Sequence, residues 1–565
     1  MTLITTEQVN CQDCHRCVRS CPVKAIGIEK SHAKVWDERC ISCGRCVVEC
    51  PQQAKQVENQ VDAIKKALHN GEYMVLSLAP SFVAAFPEYS LEQLLLRLHA
   101  LGFSVIEEAS IGAEIVSNHY SRLLEKATKP VISACCPVIV NMITHYHPSL
   151  VDCLAPVVSP MVAHGLLLQQ KYGPKAQIVF AGPCIAKLEE QKESKAIHYA
   201  LTFVQLKEWL SEVKAGALFS DKPVELNGLA YEKARYFPLS GGILKSFLTH
   251  DEMDLEILSI DGVQQCSEAF KAMEAGEIAP RFVEALACRG GCINGPASGT
   301  TLSLAARKAR VVEYAKKGSR QHIIYEEQLY DFTRKHEARP IIQKMPDSYE
   351  IKKILQQTGK YSRRDEKNCG ACGYNSCRDK AIAVYQGMAE VEMCVPYMRA
   401  KAESFANIIV DNSLHGILVM NENCVLQQWN PAAEELFGTL IPLAVGLNLA
   451  TVMDCSAFQE AWHTANKIMA RRIEYAHLAL VTEQMILPVP KHGLIIAIIS
   501  DVSVAERKQQ ELADLREDTV QKASEIIKKQ MHVAQEIAGL LGETTAETKG
   551  ALLELIDVLK AKGER

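Results

Sequence analysis

Cys288 and Cys292 stand in the stretch ACRGGCINGP, with Gly290 and Gly291 between them and Gly295 just after. A disulfide across so tight a loop is disfavoured, whereas two thiolates turned to one side by backbone that tolerates positive φ make a metal or cluster site. Two other runs carry a fuller pattern. Cys11, Cys14, Cys17 and Cys21, followed by Pro22, read C-x2-C-x2-C-x3-C-P, and Cys40, Cys43, Cys46 and Cys50, followed by Pro51, repeat it. This spacing holds two 4Fe-4S clusters, the fourth cysteine of each run ligating the other cluster. A zinc module, the competing reading, would show separated cysteine pairs or histidine ligands. A third run, Cys369, Cys372, Cys377 and Cys394 at C-x2-C-x4-C-x16-C, opens on a glycine-rich turn and suffices for one further 4Fe-4S cluster, with zinc as the alternative. The intervening RDKAIAVYQGMAEVEM is predicted to be helical.

A chain of 565 residues is too long for one core, so several domains must position these cysteines. A net charge of -5 supplies no basic field for nucleic acid, and 48% hydrophobic residues exclude global disorder. The start MTLITTEQVN lacks the features of a signal peptide, and no stretch offers the roughly 18 apolar residues of a membrane span. The expectation is a cytoplasmic protein without a membrane partner, whose 21 cysteines serve metal or iron-sulfur ligation rather than disulfides.

Residues 1–58 are predicted to be a two-cluster ferredoxin-type domain. From about 73 to 300, the apolar runs YMVLSLA, FSVIEEA, VISACC, QIVFAGP and LEILSIDG alternate with helical periodicity, as in LEQLLLRLHALG with Leu94, Leu95, Leu98 and Leu101 on one face. Such alternation predicts an α/β layer structure with parallel strands. In open sheets of this kind ligands sit at strand C-terminal ends, which would bring ISACCP and AGPCIAK to ACRGGC. From about 401 cysteines thin out, and a helix, two strands and a helix opened by Asn430 and Pro431 precede the strand HGLIIAIISDVS. Leu512, Leu515, Thr519 and Ile526 then form an imperfect heptad seam, fitting either a helix that pairs with a partner helix or a solvated amphipathic one.

Taken together, ACCP with Cys135 and Cys136, PCIAKLEE with Cys184, Lys187 and Glu190, and ACRGGC with Cys288 and Cys292 closely resemble, in order, the three cluster-binding motifs of the FeFe-hydrogenase catalytic domain. The resemblance spans about 70–310. It implies that Cys136, Cys184, Cys288 and Cys292 ligate a 4Fe-4S cubane. Cys292 would also bridge to a two-iron subcluster bearing carbonyl, cyanide and a bridging dithiolate amine, the whole forming the H-cluster. It further implies that Lys187 donates to a cyanide, that Cys135 relays a proton to the amine, and that Ser159 continues the path. Dihydrogen and protons would be the substrates, a ferredoxin or other redox carrier the electron partner, and hydrogenase maturation proteins the source of the two-iron part.

Departures from the family bear on rate. After Gly112, Ala113 and Glu114 the helix reads IVSNHYSRLLEK, with no carboxylate before Glu125 where the family continues its proton path. His119 and Tyr120 could offer a slower route, a packed histidine being the bland alternative. Val138 and Ile139 replace Gly-Trp, Gly182 replaces Met, Arg289 replaces Pro, and Pro296 interrupts a glycine run. Arg289 should favour electron-rich states of the cluster beside it, and turnover is expected to be slow.

Residues 369–394 resemble the small iron-sulfur domain of ferredoxin-linked and corrinoid proteins, and 401–505 resemble a PAS sensor domain of unknown ligand, with NPAAEELFG the most specific stretch. The expected architecture is therefore multidomain α/β and α+β. It comprises a two-cluster ferredoxin domain (1–58), an FeFe-hydrogenase-like domain (70–345), a small 4Fe-4S domain (360–400), a PAS domain (401–505) and a signalling helix or coiled coil (506–565). Functionally this describes a sensory hydrogenase that acts on a kinase or phosphatase partner, with a homodimer through the tail an open option. A metabolic ferredoxin-linked hydrogenase and a non-catalytic iron-sulfur assembly or electron-transfer protein are the alternatives. His532 invites reading as a phosphoacceptor, but no kinase ATP-binding domain follows. Cys153, Cys266, Cys424 and Cys455 have no assigned role.

Overall fold

The computed structural model describes residues 3–213, 225–248, 256–437, 441–475, 480–541 and residue 550. The chain forms two compact units, one ending at Met398 and the other beginning at Arg399, a boundary inside the helix Val395–Asp411. The first unit holds every cysteine run singled out above.

Its N-terminal part is built from the antiparallel pairs Ile4–Thr6 with Lys55–Val57 and Ile26–Glu29 with His32–Val35. The short helices Arg16–Ser20 and Arg45–Val48 follow the cysteine loops. Each helix starts from a left-handed residue inside its run, His15 at φ 56° and Gly44 at φ 68°. Only the second position demands glycine by packing as well, because a Cβ on Gly44 would lie 2.5 Å from Ile185 Cδ1 and 2.8 Å from Pro296 Cγ. The second cysteine run is thereby pressed against the middle domain.

That domain contains two parallel sheets. One has four strands in the order Val105–Glu108, Tyr73–Leu78, Ala176–Gly182, Tyr199–Thr202; the other has three, Ile257–Asp261, Phe282–Leu286, Val131–Ile132. The expected apolar runs are thus strands, though VISACC contributes only two strand residues before turning into its cysteine loop. Helix Leu91–Ala100 buries Leu94, Leu95 and Leu98 and begins at a reciprocal Ser90–Gln93 cap. Beyond residue 300, helix Leu304–Ala315 packs through Val311 and Ala315 against Tyr236, Leu239 and Ile293.

The helix predicted across 378–393 is shorter in the structure. It spans Cys377–Tyr385 and ends where Gly387, at φ 71°, and Met388 cap its last carbonyls from Val384 and Ala383. The chain then turns back, and Met388 O accepts from Ile28 N at 2.9 Å. A Cβ on Gly27 would sit 2.5 Å from that oxygen, so the small domain docks on the ferredoxin-type domain by close backbone approach.

The second unit holds a five-stranded antiparallel sheet in the order Leu426–Trp429, Gly416–Asn421, Leu494–Asp501, Leu480–Val489, Ile468–Tyr475. Phe437 and Phe458 from the helices Pro431–Phe437 and Ser456–Thr464 fill its core. Asn430, at the head of NPAAEELFG, is buried; its Oδ1 accepts from Ile417 N and Ala433 N, and its Nδ2 donates to Val410 O and His415 O. The helix Ser503–Leu541 exposes Leu512, Leu515 and Ile526. The segment GETTAETKGALLELIDVLK and the rest of the tail lie outside the described residues, apart from Gly550. No helix among the described residues is long and apolar enough to cross a membrane.

Candidate active site and cluster sites

The cysteine loops of the middle domain leave the C-terminal ends of three strands. Cys135 and Cys136 follow Val131–Ile132, Cys184 follows Ala176–Gly182, and Cys288 follows Phe282–Leu286. Cys136 is the N-cap of helix Pro137–Tyr146, with proline in its first turn, and the backbone N–H groups of Val138, Ile139 and Ala287 act on its sulfur so as to favour the thiolate. The N–H groups of Ala186 and Lys187 act on the Cys184 sulfur in the same sense.

The glycines of ACRGGC have a double reason. Gly290 and Gly291 take φ of 79° and 92°, and a Cβ on Gly291 would fall 2.3 Å from Pro238 O. Gly290 N also donates to Asp261 Oδ2 at 3.0 Å. The loop is thus pinned from both sides while its thiols face inward.

Burial raises the pKa of all four thiols, that of Cys184 to about 12, and repulsion from neighbouring thiols adds to it at Cys184, Cys288 and Cys292; Cys288 feels Cys184, Cys292 and Cys136. Four adjacent buried thiols that resist ionising become thiolates when iron replaces their protons. No three His, Cys, Asp or Glu groups among the described residues converge on a point that could hold a single ion. A cubane needs no such point, since each of its thiolates binds a different iron.

Beside these cysteines lies a cavity of about 90 Å³ bordered by Cys135, Cys136, Cys184, Lys187 and Cys292. Its other walls are mainly apolar, Met161, Phe180, Phe237 and Leu286 among them. Ser81 also faces it, buried, and its hydroxyl has no partner among the described residues. A donor without an acceptor at the wall of an apolar cavity, next to an ammonium and four thiols, suits a group that carries small anionic ligands. The residues present therefore fit the H-cluster.

Lys187, Ser159 and Glu190 converge. Lys187 Nζ donates to Glu190 Oε2 at 2.6 Å, to Ser159 Oγ at 2.9 Å and to the Cys135 carbonyl at 3.4 Å, and Ser159 Oγ donates to Glu190 Oε2 at 3.0 Å. Burial alone would depress the Lys187 ammonium, but the carboxylate outweighs it and holds the pKa above the ordinary lysine value. The other oxygen of Glu190 accepts from Arg334 Nη1 at 2.8 Å. Arg334 lies in motif-free chain, and only its place in the fold reveals it.

Of the two substitute relay residues, Tyr120 reaches the site. It is fully buried, Ala134 N donates to its Oη at 3.0 Å, and burial together with the adjoining Cys135 pushes its phenol pKa well up. His119 lies 3.5 Å from Glu327 with its ring edge-on to Phe332, as a packed histidine does. Glu114 is tied to His322 Nδ1 at 2.8 Å and Ile323 N at 3.0 Å.

Glu284 was not singled out from the sequence. It sits fully buried in the strand Phe282–Leu286, accepts from Gly241 N at 2.7 Å and Leu244 N at 3.1 Å, and acts electrostatically on both Cys135 and Cys292. Burial pushes its carboxyl up to about 7 despite those N–H donors. The available signal was a lone carboxylate in the otherwise apolar run FVEALAC.

Cys288 and Arg289 border a second, larger cleft, reached from the ferredoxin-type domain by Cys43 and Arg45. Within that domain the thiols acting on Cys43 are Cys21 and Cys40, and those acting on Cys17 are Cys11 and Cys14. Cys21 therefore groups with the second run, as an exchange of fourth cysteines requires. In the small domain Cys372 and Cys394 adjoin, and Asn368 Oδ1 accepts from Cys377 N. Arg19 Nη1 donates to Ala371 O, and Lys24 Nζ to Gly373 O, across the junction with the first run. Cys266 packs with its thiol toward Ile260 O and Leu286 O, while Cys424 and Cys455 adjoin in the core of the second unit.

A parallel-sheet domain with cysteine loops converging on a buried cavity, flanked by two further cysteine-rich domains, defines an iron-sulfur protein of redox type. Comparison with known proteins narrows the class. Residues 72–296 match the family model for the iron-only hydrogenase large subunit, C-terminal domain; residues 3–66 match a 4Fe-4S dicluster domain, and 365–396 an Fe-S cluster model. The chain carries, accordingly, an FeFe-hydrogenase-type domain, a two-cluster ferredoxin domain and a small iron-sulfur domain. Iron hydrogenase 1 of Clostridium pasteurianum is 26% identical over 367 residues, 52% of this chain, and the match spans 64% of that relative's length. Among solved structures, an FeFe-hydrogenase of Chlamydomonas reinhardtii aligns over 50% of this chain and 92% of its own, with 16% identity and a TM-score of 0.35. A PAS domain of an HTR-like protein from Haloarcula marismortui aligns over 19% of this chain and 96% of its own, with 14% identity and a TM-score of 0.15.

Proposed function

We propose that the protein is a sensory FeFe-hydrogenase. The observation that carries the reading is the convergence of Cys136, Cys184, Cys288 and Cys292 beside a cavity that also presents Cys135, Lys187 and the unpartnered Ser81 hydroxyl. A protein that merely stored or passed on a plain cubane would have no use for that cavity or its donors.

When bound, the H-cluster supplies heterolytic cleavage of dihydrogen and accepts the electrons released. The four cysteines would hold its cubane. Lys187, kept protonated by Glu190, and Ser81 would donate to its anionic ligands, and the apolar walls exclude water. Cys135 would carry the proton at Sγ. From there the path would run to Tyr120, a neutral hydroxyl that adjoins Cys135 and is able to donate and accept, or to Glu284, whose carboxyl is pushed up to about 7 and acts on Cys135 through space. Ser159 hydrogen-bonds with Lys187 and Glu190, so its role is to orient the ammonium.

Electrons would leave past Cys288 toward Cys43 and the ferredoxin clusters. The residues after 400 would form a PAS domain and signalling helix that answer the redox state of the clusters and act on a partner kinase or phosphatase.

The infrared spectrum of the matured protein tests the hydrogenase reading. Bands of iron-bound carbonyl and cyanide that shift under dihydrogen are expected. Their absence after full maturation would leave an iron-sulfur scaffold. Turnover as fast as that of metabolic hydrogenases would reassign the protein to metabolism. A second prediction concerns the ammonium: Lys187→Met should leave the bound iron of the other clusters in place while weakening retention of the two-iron part, read as a loss of band intensity after gel filtration.

A further inference from the structure

Ammonium groups are among the charges a fold buries least readily without a partner. Where this unit buries other cations it supplies carboxylates, Glu190 for the Lys187 ammonium and Glu108 for the Arg235 guanidinium. Four lysines in the cluster-bearing part break that rule. Lys55 and Lys380 are 5% exposed, Lys360 is 9% exposed and Lys24 is partly buried. None of the four has a carboxylate within ion-pair distance among the described residues, and their bonds go to neutral acceptors or to sulfur.

Lys360 Nζ donates to Cys394 Sγ at 3.3 Å and to Thr358 Oγ1 at 2.9 Å. Lys380 Nζ donates to Val391 O at 2.8 Å, and the acidic groups acting on it most strongly are Cys394 and then Cys372, ahead of Glu392. Lys24 Nζ donates to the carbonyls of Gly373, Val18 and Arg19 and faces Cys21 and Cys372 from between the two domains. Lys55 donates to Thr6 Oγ1 and acts on both Cys17 and Cys46. The fold thus buries cations where the cysteine runs meet.

We propose that these lysines are the counter-charges of the clusters, and that Lys360 and Lys380 hold the small-domain cluster at a higher reduction potential than either ferredoxin cluster. The inference rests on the reading of Cys369, Cys372, Cys377 and Cys394 as cluster ligands. A cluster with four thiolates is anionic and gains one more negative charge on reduction. A nearby ammonium and a hydrogen bond to a ligand sulfur both favour that reduced state. Lys24 and Lys55 are each shared between two cysteine groups, whereas Lys360 and Lys380 both act on the small-domain set. One electron then passes from a reduced ferredoxin cluster, which is oxidised, to the small-domain cluster, which is reduced, and no proton moves. The electron comes to rest in the domain whose last ligand, Cys394, immediately precedes the helix Val395–Asp411.

The test is an EPR-monitored redox titration of the full chain reconstituted with 4Fe-4S clusters alone, so that it does not depend on the two-iron part. The small-domain signal is assigned by its loss in Cys372→Ser. Lys360→Met and Lys380→Met should each lower its midpoint by at least a tenfold change in the reduction equilibrium, about 59 mV for a one-electron couple. The ferredoxin signals should stay in place and Lys380→Arg should retain the wild-type value. Lys360→Gln reads the same quantity if the methionine variant does not fold. An unmoved midpoint at unchanged iron content overturns the proposal. A wild-type protein whose small domain holds no cluster overturns the ligand reading instead, and is recognised by its iron content.

Discussion

On the proposed hydrogenase function, Glu284→Gln should lower dihydrogen turnover by about 100-fold while leaving the carbonyl and cyanide bands in place. The factor is that of losing one positioned proton carrier; glutamine keeps the side-chain shape, but its single oxygen accepts from only one of the two N–H groups, of Gly241 and Leu244, that the carboxylate holds with its two oxygens. Direction and pH dependence separate this from a packing defect. Oxidation of dihydrogen needs the carboxylate to accept a proton, so in the wild type it should fall as pH drops below about 7, where Glu284 protonates. Proton reduction needs the acid form and should fall as pH rises through the same value. Both limbs should vanish in the glutamine variant. Stability has its own sign: a carboxyl raised to about 7 in the folded state contributes stability that is fully present below its unfolded pKa, near 4.5, and is lost as pH rises through 7. Glu284→Gln should flatten that dependence. Unchanged turnover with both limbs intact would assign the relay to Tyr120 alone.

Gly291→Ala should strip the middle domain of its cubane. Alanine at φ 92° is strained, and its Cβ would lie 2.3 Å from Pro238 O and 2.8 Å from the carbonyl carbon of Leu239, backbone that cannot swing aside as a side chain can. The loop must shift, and Cys288 and Cys292 shift with it. Iron analysis should show one cluster fewer, with the signals of the N-terminal pair retained. Gly276→Ala is the control. It too has positive φ, 73°, but nothing lies within 4 Å of its added Cβ, so it should cost about 1 kcal/mol and no iron. Full iron content in Gly291→Ala would show that the loop yields more easily than its contacts indicate.

The two glycines illustrate what could be read in advance. Cysteine runs are local: a loop of a few residues sets the ligand directions, so spacing alone marks Cys11 to Cys50, the pair in ACRGGC and the run from Cys369. Parallel strands were legible for the same reason, since a buried strand must be apolar along its own length. The length of the helix after Cys377 was not, because Gly387 inside RDKAIAVYQGMAEVEM ends it in favour of a return path that docks Met388 on Ile28. The surroundings of the cluster were legible only in part: Ser159 and Glu190 were named, but Arg334, which pairs with Glu190, and the carboxylate of Glu284 were not.

Residue types and local spacing therefore determined the cluster-binding loops, the strand-forming runs and the apolar helix faces, because each depends on neighbours a few positions away. Tertiary structure alone decided which thiols share a cavity, that Cys21 turns to the second run, that Tyr120 reaches Cys135 while His119 does not, and that lysines far apart in the chain are buried at the cysteine sites. Those outcomes depend on Coulomb interactions and desolvation, which act through space between residues that only the folded topology brings together.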